Sequence, residues 1–228
     1  MENEERLKLI KPHIIICEGK DDERFLIWLL NNFVQEGNNL FDEFQVINAN
    51  GRDNLHMRLA SISGHPGFDD PKNAVVSIVV IFYAEKDAAA TAHKIKNAFN
   101  KNGFAEPSAA CTVCSNADAS KVRYPKVKTG FALFPGCDEV IESGTLEDLC
   151  LRSLANENSQ EVLSSADCAL EKFKSQLSRI HKNRLHTYFS LTDEYVSKTI
   201  GQAAQANAFR TDVPAIDSLK SFLMEMHG

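Results

Sequence analysis

Seven carboxylates in three groups carry the chemistry open to this chain. Glu18, Asp21 and Asp22 follow the apolar run HIIIC (13–17), Glu85 and Asp87 follow AVVSIVVIFYA (74–84), and Glu147 and Asp148 open a helical segment beyond KTGFALF (128–134). Open α/β sheets gather their functional groups at the carboxyl ends of adjacent parallel strands. The three groups are therefore expected on one edge, close enough to share a divalent cation. A donor set made only of oxygens suits Mg2+ or Mn2+. Acidic residues at helix starts also serve as caps and dipole partners, and that is the ordinary role for Asp21, Asp22 and Asp148 taken singly. Glu18 precedes a glycine at a strand end and has no helix to cap.

The elements that must position these groups are legible from periodicity. His13 to Cys17 is a short buried strand, and in the helix that follows, from about Asp21 to Phe33, Phe25, Trp28, Leu29 and Phe33 share one apolar face. Phe44 to Ile47 is a second strand, ended by the turn-forming NANG, and Leu55, Met57, Leu59 and Ile62 mark another helix. SGHPGFDDPKN (63–73) is a loop by its glycines and prolines. Ala74 to Ala84 is β-branched enough to be the central buried strand. It runs into an alanine-rich helix reaching about Asn102. Lys128 to Phe134 is a further strand, and Thr145 is placed to cap a helix with Asp148 in a capping box. Alternating strand and helix signals predict an α/β fold with a mostly parallel central sheet flanked by helices. From Ser164 onward the pattern is helical, with breaks near Asn183, Leu191-Thr192 and Asp212 to Pro214. The expected organisation is an α/β core over 1–160 and a helical C-terminal extension over 161–228 that packs on the same domain through positions such as Phe173, Leu177, Tyr188, Phe189, Phe222 and Leu223.

Composition bounds the function classes. At 228 residues, 43% hydrophobic and 25% charged, the chain is an ordinary globular one, long enough for a single substantial core. No apolar run reaches the roughly 18–20 residues of a membrane span, and MENEERLKLIKP lacks the apolar stretch of a signal peptide. The expected location is the cytoplasm. Six scattered cysteines do not make a disulfide framework, and most are expected to be reduced. The net charge of −6 excludes a generally basic, nucleic-acid-coating surface. Lys172, Lys174, Arg179, Lys182 and Arg184 nevertheless form a local basic stretch, either a guide for a phosphate strand or a solvated helix face. Cys111-x-x-Cys114 has zinc-ligand spacing without a second pair, the histidines form no HExxH motif, and no glycine-rich nucleotide loop or nucleophile elbow is present.

CEGKDDERFL (17–26) resembles the first motif of the Toprim domain, the catalytic α/β module of topoisomerases, bacterial primases, small nucleases and the overcoming-lysogenization-defect nucleases. FALFPGCDEVIESGTLEDLCL (131–151) and YFSLTDEYVSKTIGQAAQANAF (188–209) extend the likeness, over nearly the whole chain, to an uncharacterised prokaryotic family of standalone Toprim-like proteins. The resemblance implies that Glu18 is the Toprim glutamate, acting as ligand or general acid/base, and that Asp22 is the second acid of the motif. It implies that Thr145-x-Glu147, with Asp148 adjacent, is a later metal-binding element, and that Lys182 or Arg184 stabilises charge on the phosphate. The second motif departs from the family's Asp-x-Asp. Tyr83-Ala84-Glu85-Lys86-Asp87 stands there, so that either Tyr83 replaces the first aspartate and Glu85 the second, or the motif has slipped to Glu85-x-Asp87. The implied function is Mg2+- or Mn2+-dependent phosphoryl transfer, most simply a nuclease acting on DNA or RNA. The alternative is a degenerate, non-catalytic module that binds nucleic acid, a nucleotide or a protein partner.

Overall fold

The apolar runs identified above form the centre of one sheet. In the computed structural model, which describes residues 7–228 except 71–73, 116, 139, 157 and 178, the strands are β1 (His13–Cys17), β2 (Phe44–Asn48), β3 (Ser77–Tyr83), β4 (Val113–Cys114) and β5 (Lys128–Phe134). Their order is β2-β1-β3-β5-β4. All neighbours run parallel except β4, which pairs antiparallel with β5. Strands buried on both faces need no polar alternation, which is why β1 and β3 read as unbroken apolar runs.

Helices cover both faces. On one side lie α2 (Leu55–Ser63) and α3 (Ala88–Lys101), packed on Ile14, Ile16, Ile78, Val80 and Phe82. The other side carries α1 (Lys20–Gln35), α4 (Leu146–Arg152), α5 (Ser159–Glu171), α6 (Ile180–Ser190), α7 (Ile200–Gln205) and α8 (Pro214–His227). Leu185, Tyr188, Phe189, Ile200, Leu219, Phe222 and Leu223 from these later helices join Ile15, Phe25, Val79 and Phe134 in one buried cluster. Gly130 is the point of closest approach: a Cβ there would stand 2.7 Å from Met226 Sδ and 2.8 Å from Phe222 Cζ, so only glycine lets α8 lie on β5.

Several expectations shift in detail. β3 spans Ser77–Tyr83 rather than 74–84, and β4 carries no periodic signal because it has two residues. The break expected near Asn183 falls instead between α5 and α6, with α6 running unbroken through Asn183, while those expected near Leu191-Thr192 and Asp212 to Pro214 stand at the end of α6 and just before α8. Phe173, in that interruption, is 53% exposed and does not join the core. The 160/161 division falls inside α5. Cys111 and Cys137 form a disulfide, while Cys17, Cys114, Cys150 and Cys168 are free. Cys111-x-x-Cys114 is thus no zinc pair. No helix among the described residues is long and apolar enough to cross a membrane.

Candidate functional site at the carboxyl edge of the sheet

Register decides which side chains meet. Cys17 is level with Ile81 of β3 and Asn48 of β2, and Tyr83 is level with Phe134 of β5. Val79, Ile81 and Tyr83 alternate onto the face covered by α1. The Tyr83 ring therefore projects past the end of β1 toward the first turn of α1, where Asp22 stands. Its hydroxyl donates to Asp22 Oδ1. The Gly19 N–H donates to Asp22 Oδ2 at 2.8 Å, so the carboxylate also closes the start of α1. Asp22 is 2% exposed. Burial pushes its pKa up to about 6 against the two hydrogen bonds, and the Glu147 charge adds to the rise. Tyr83 is held far above its ordinary value by burial, with Asp22, Glu147 and Glu18 acting in the same direction.

Glu18 leaves β1 beside this pair. Burial raises its pKa, the Arg52 guanidinium opposes that rise, and Asp22 and Glu85 reinforce it. Its Oε2 is buried without a hydrogen-bond partner, as are Asn48 Oδ1 at the end of β2 and Arg52 Nε. Unpaired buried polar atoms are rare in folded chains and mark places where water, an ion or a ligand belongs.

The third group reaches the site through a backbone clamp. Glu85, at φ 58°, exchanges two 2.8 Å hydrogen bonds with Gly144, and the Ala88 N–H donates to the Glu142 carbonyl at 2.9 Å. Gly144 has φ 142°, and a Cβ there would lie 2.6 Å from Pro135 Cδ. The clamp sets Thr145 at the start of α4, where its N–H donates to Asp148 Oδ2 at 2.8 Å in the expected capping box. Glu147, 6% exposed, turns inward toward Asp22 and Tyr83.

The structure thus brings Glu18, Asp22, Tyr83 and Glu147 together on the edge where β1, β3 and β5 end. Glu85 lies at its solvent side, exposed. Asp87 instead caps α3, accepting from the Ala90 N–H at 2.9 Å. Asp148 is occupied by the α4 cap and by His181 Nδ1 at 2.6 Å. The carboxylates are not drawn into a closed ligand set. Among the described residues, the group of three or more candidate ligands within 4.8 Å of one another is His13, Glu43 and His227, on the opposite edge.

Matching the whole chain against family models identifies residues 12–227 with one described as a protein of unknown function, DUF3226. The chain belongs to the DUF3226 family. No curated protein matches it. Two solved structures of the C-terminal region of the Xanthomonas campestris pv. campestris OLD protein, phased with mercury and with iodine, are similar at 13% and 14% identity with TM-scores of 0.45 and 0.40. They cover 96% and 97% of the DUF3226 chain, and 96% and 100% of their own lengths.

The two basic candidates of this DUF3226 chain separate. Lys182 Nζ sits 3.7 Å from Glu147 Oε1, whereas Arg184 makes a bidentate pair with Asp167 at 2.7 and 2.8 Å, directed away onto α5. Two participants carry no signal in the sequence, since Arg52 and Asn48 lie in the NANG turn region with no motif around them, and Tyr83 stands out there only as a departure from a pattern. Arg52, whose charge acts on Glu18, also lines a depression of about 250 Å³ with Lys86, Lys94, Glu85, Asp87 and Thr91.

Proposed function

We propose that this edge is a cation-dependent phosphodiester site and that the protein is a Toprim-like nuclease acting on DNA or RNA. The observation that carries the reading is the unpartnered, buried Glu18 Oε2, which feels the charges of Asp22 and of Arg52, the latter lining a depression with Lys86, Lys94, Glu85 and Asp87. The donor set fits a hard cation, since Glu18, Asp22, Glu147 and Glu85 offer only oxygens and one of those oxygens lacks any partner. A Mg2+ or Mn2+ ion held by them would supply charge neutralisation at the scissile phosphate and a polarised water.

The chain's own groups account for the remainder. Arg52, Lys86 and Lys94 supply positive charge along the depression, the local feature that lets an acidic protein hold a phosphate backbone. Lys182, exposed beside Glu147, is placed to stabilise charge on the phosphate. Glu18, its pKa raised by burial, holds a proton nearer neutrality than an exposed glutamate and suits a general acid/base. Asp22, both oxygens engaged, keeps the turn after β1 in place and contributes negative charge.

Tyr83 favours a second reading. Its hydroxyl occupies the Asp22 oxygen that would face a cation, which suits a module that binds nucleic acid without turning it over. Cleavage assays on single- and double-stranded DNA and RNA, with and without Mg2+ or Mn2+, separate the two. The nuclease reading expects metal-dependent cleavage that falls at least ~100-fold in Glu18→Gln. Salt-sensitive binding with no cleavage under any metal would leave the binding reading in its place.

A further inference from the structure

At the opposite, amino-terminal edge of the sheet, three residues far apart in sequence meet. His13 opens β1, Glu43 ends a 3-10 turn (Asn39–Glu43) just before β2, and His227 lies in the last turn of α8. Glu43 Oε2 is 3.2 Å from His227 Nε2 and 3.8 Å from His13 Nε2, and the two imidazoles stack at 4.5 Å between centroids. One ligand atom from each lies within 4.8 Å of the other two.

We propose that His13, Glu43 and His227 bind a Zn2+ ion that fastens the last turn of α8 to the start of β1. Two imidazole nitrogens and one carboxylate oxygen form a three-ligand zinc set, with a fourth position for water. Nitrogen donors favour Zn2+ over Mg2+ or Mn2+, so this site and the acidic edge differ in the ions they select.

The surroundings orient the set. His13, 4% exposed, is level with Ser77 on β3, and its Nδ1 is 2.8 Å from Ser77 Oγ. That contact occupies one ring nitrogen and directs Nε2 to Glu43, the outer-partner arrangement found behind metal-bound histidines. Phe44, level with His13 on β2, holds the other side of the ring at 5.1 Å. Tetrahedral coordination at Zn–N and Zn–O lengths of about 2.0–2.1 Å separates ligand atoms by about 3.3 Å. The Glu43–His227 contact already has that spacing. The rest of the closure falls to Glu43, whose side chain is 54% exposed, and to His227 at the helix end.

The test uses the full chain, stripped of metal with a chelator. One Zn2+ per chain should bind, and free Zn2+ at about 100 times Kd should raise Tm by roughly 5–10 °C in a protein of this size. Co2+ in its place should show tetrahedral absorption. Glu43→Gln, at the surface, and His227→Ala, in the last turn of the chain's final helix, should fold and lose the response. Ser77→Ala should weaken binding ~10–100-fold. Glu18→Gln should leave the Zn2+ response intact, which separates this site from the acidic edge. No Zn2+ stabilisation of the wild type, or an undiminished response in His227→Ala, overturns the proposal.

Discussion

Replacing Tyr83 by Phe removes one hydroxyl and leaves the ring in its packed position against Phe134. That hydroxyl is one of two donors to a carboxylate that is 2% exposed and whose pKa is already about 6. The direction follows from linkage. Asp22 has a folded pKa above its unfolded value of about 3.9, so ionising it opposes folding as pH rises from about 4 through 6. Loss of the hydroxyl pushes the folded pKa higher again, and the added destabilisation belongs to the alkaline side. A hydrogen bond to a buried charge contributes about 1.5–3 kcal/mol, against about 0.5–1.5 kcal/mol for a neutral one. The variant should therefore lose about 1–1.5 kcal/mol more at about pH 8 than at about pH 5, equivalent to a rise of roughly one unit in the Asp22 pKa. At about 2–4 °C per kcal/mol, thermal unfolding followed by circular dichroism should show a Tm deficit of about 3–12 °C at high pH and a clearly smaller one at low pH. An equal or larger deficit at low pH refutes the assigned role of Asp22. The freed oxygen gives a second readout: under the cation reading, Mn2+ should stabilise Tyr83→Phe more than it stabilises the wild type.

Other perturbations probe the scaffold and the charges around the site. Gly144→Ala sets a Cβ 2.6 Å from Pro135 at φ 142°, and should cost about 2–4 kcal/mol, measured by urea unfolding, because the backbone clamp with Glu85 must shift. Phe25→Ala, which empties a fully buried position among Trp28, Phe134 and Phe209, should cost about 3–5 kcal/mol in the same assay. Lys182→Met should lower cleavage or nucleic-acid affinity with Tm unchanged. Arg184→Ala, which breaks a partly exposed pair with Asp167, should cost no more than about 1 kcal/mol and leave activity intact, as comparison of the two variants in one assay will show.

What could be read from the sequence was local. The β1 run, the one-faced helix after it and the Thr145–Asp148 capping box each depend on residues within one or two turns, and all three are present. The grouping of Glu18, Asp22 and Glu147 on one edge followed from the parallel order of β1, β3 and β5. The division of labour among the carboxylates did not. Asp87 is a carboxylate at a strand end just as Glu18 is, and only the structure shows it spent on capping α3. The Tyr83–Asp22 hydrogen bond spans 61 residues and depends on strand register, which no spacing rule encodes. His13, Glu43 and His227 were invisible for the same reason, since 184 residues separate the last two. Phe173 illustrates the opposite failure, an aromatic residue assigned to the core that the α5–α6 connection leaves exposed.

The central claim is that the carboxyl edge holds a divalent cation between Glu18, Asp22 and Glu147. Anomalous diffraction at the manganese edge, from a crystal soaked in Mn2+, addresses it directly. The account predicts a peak bounded by Glu18, Asp22 and Glu147, absent in Glu18→Gln crystals treated in the same way. A map with no peak among those residues, or with manganese only beside His13, Glu43 and His227, contradicts it.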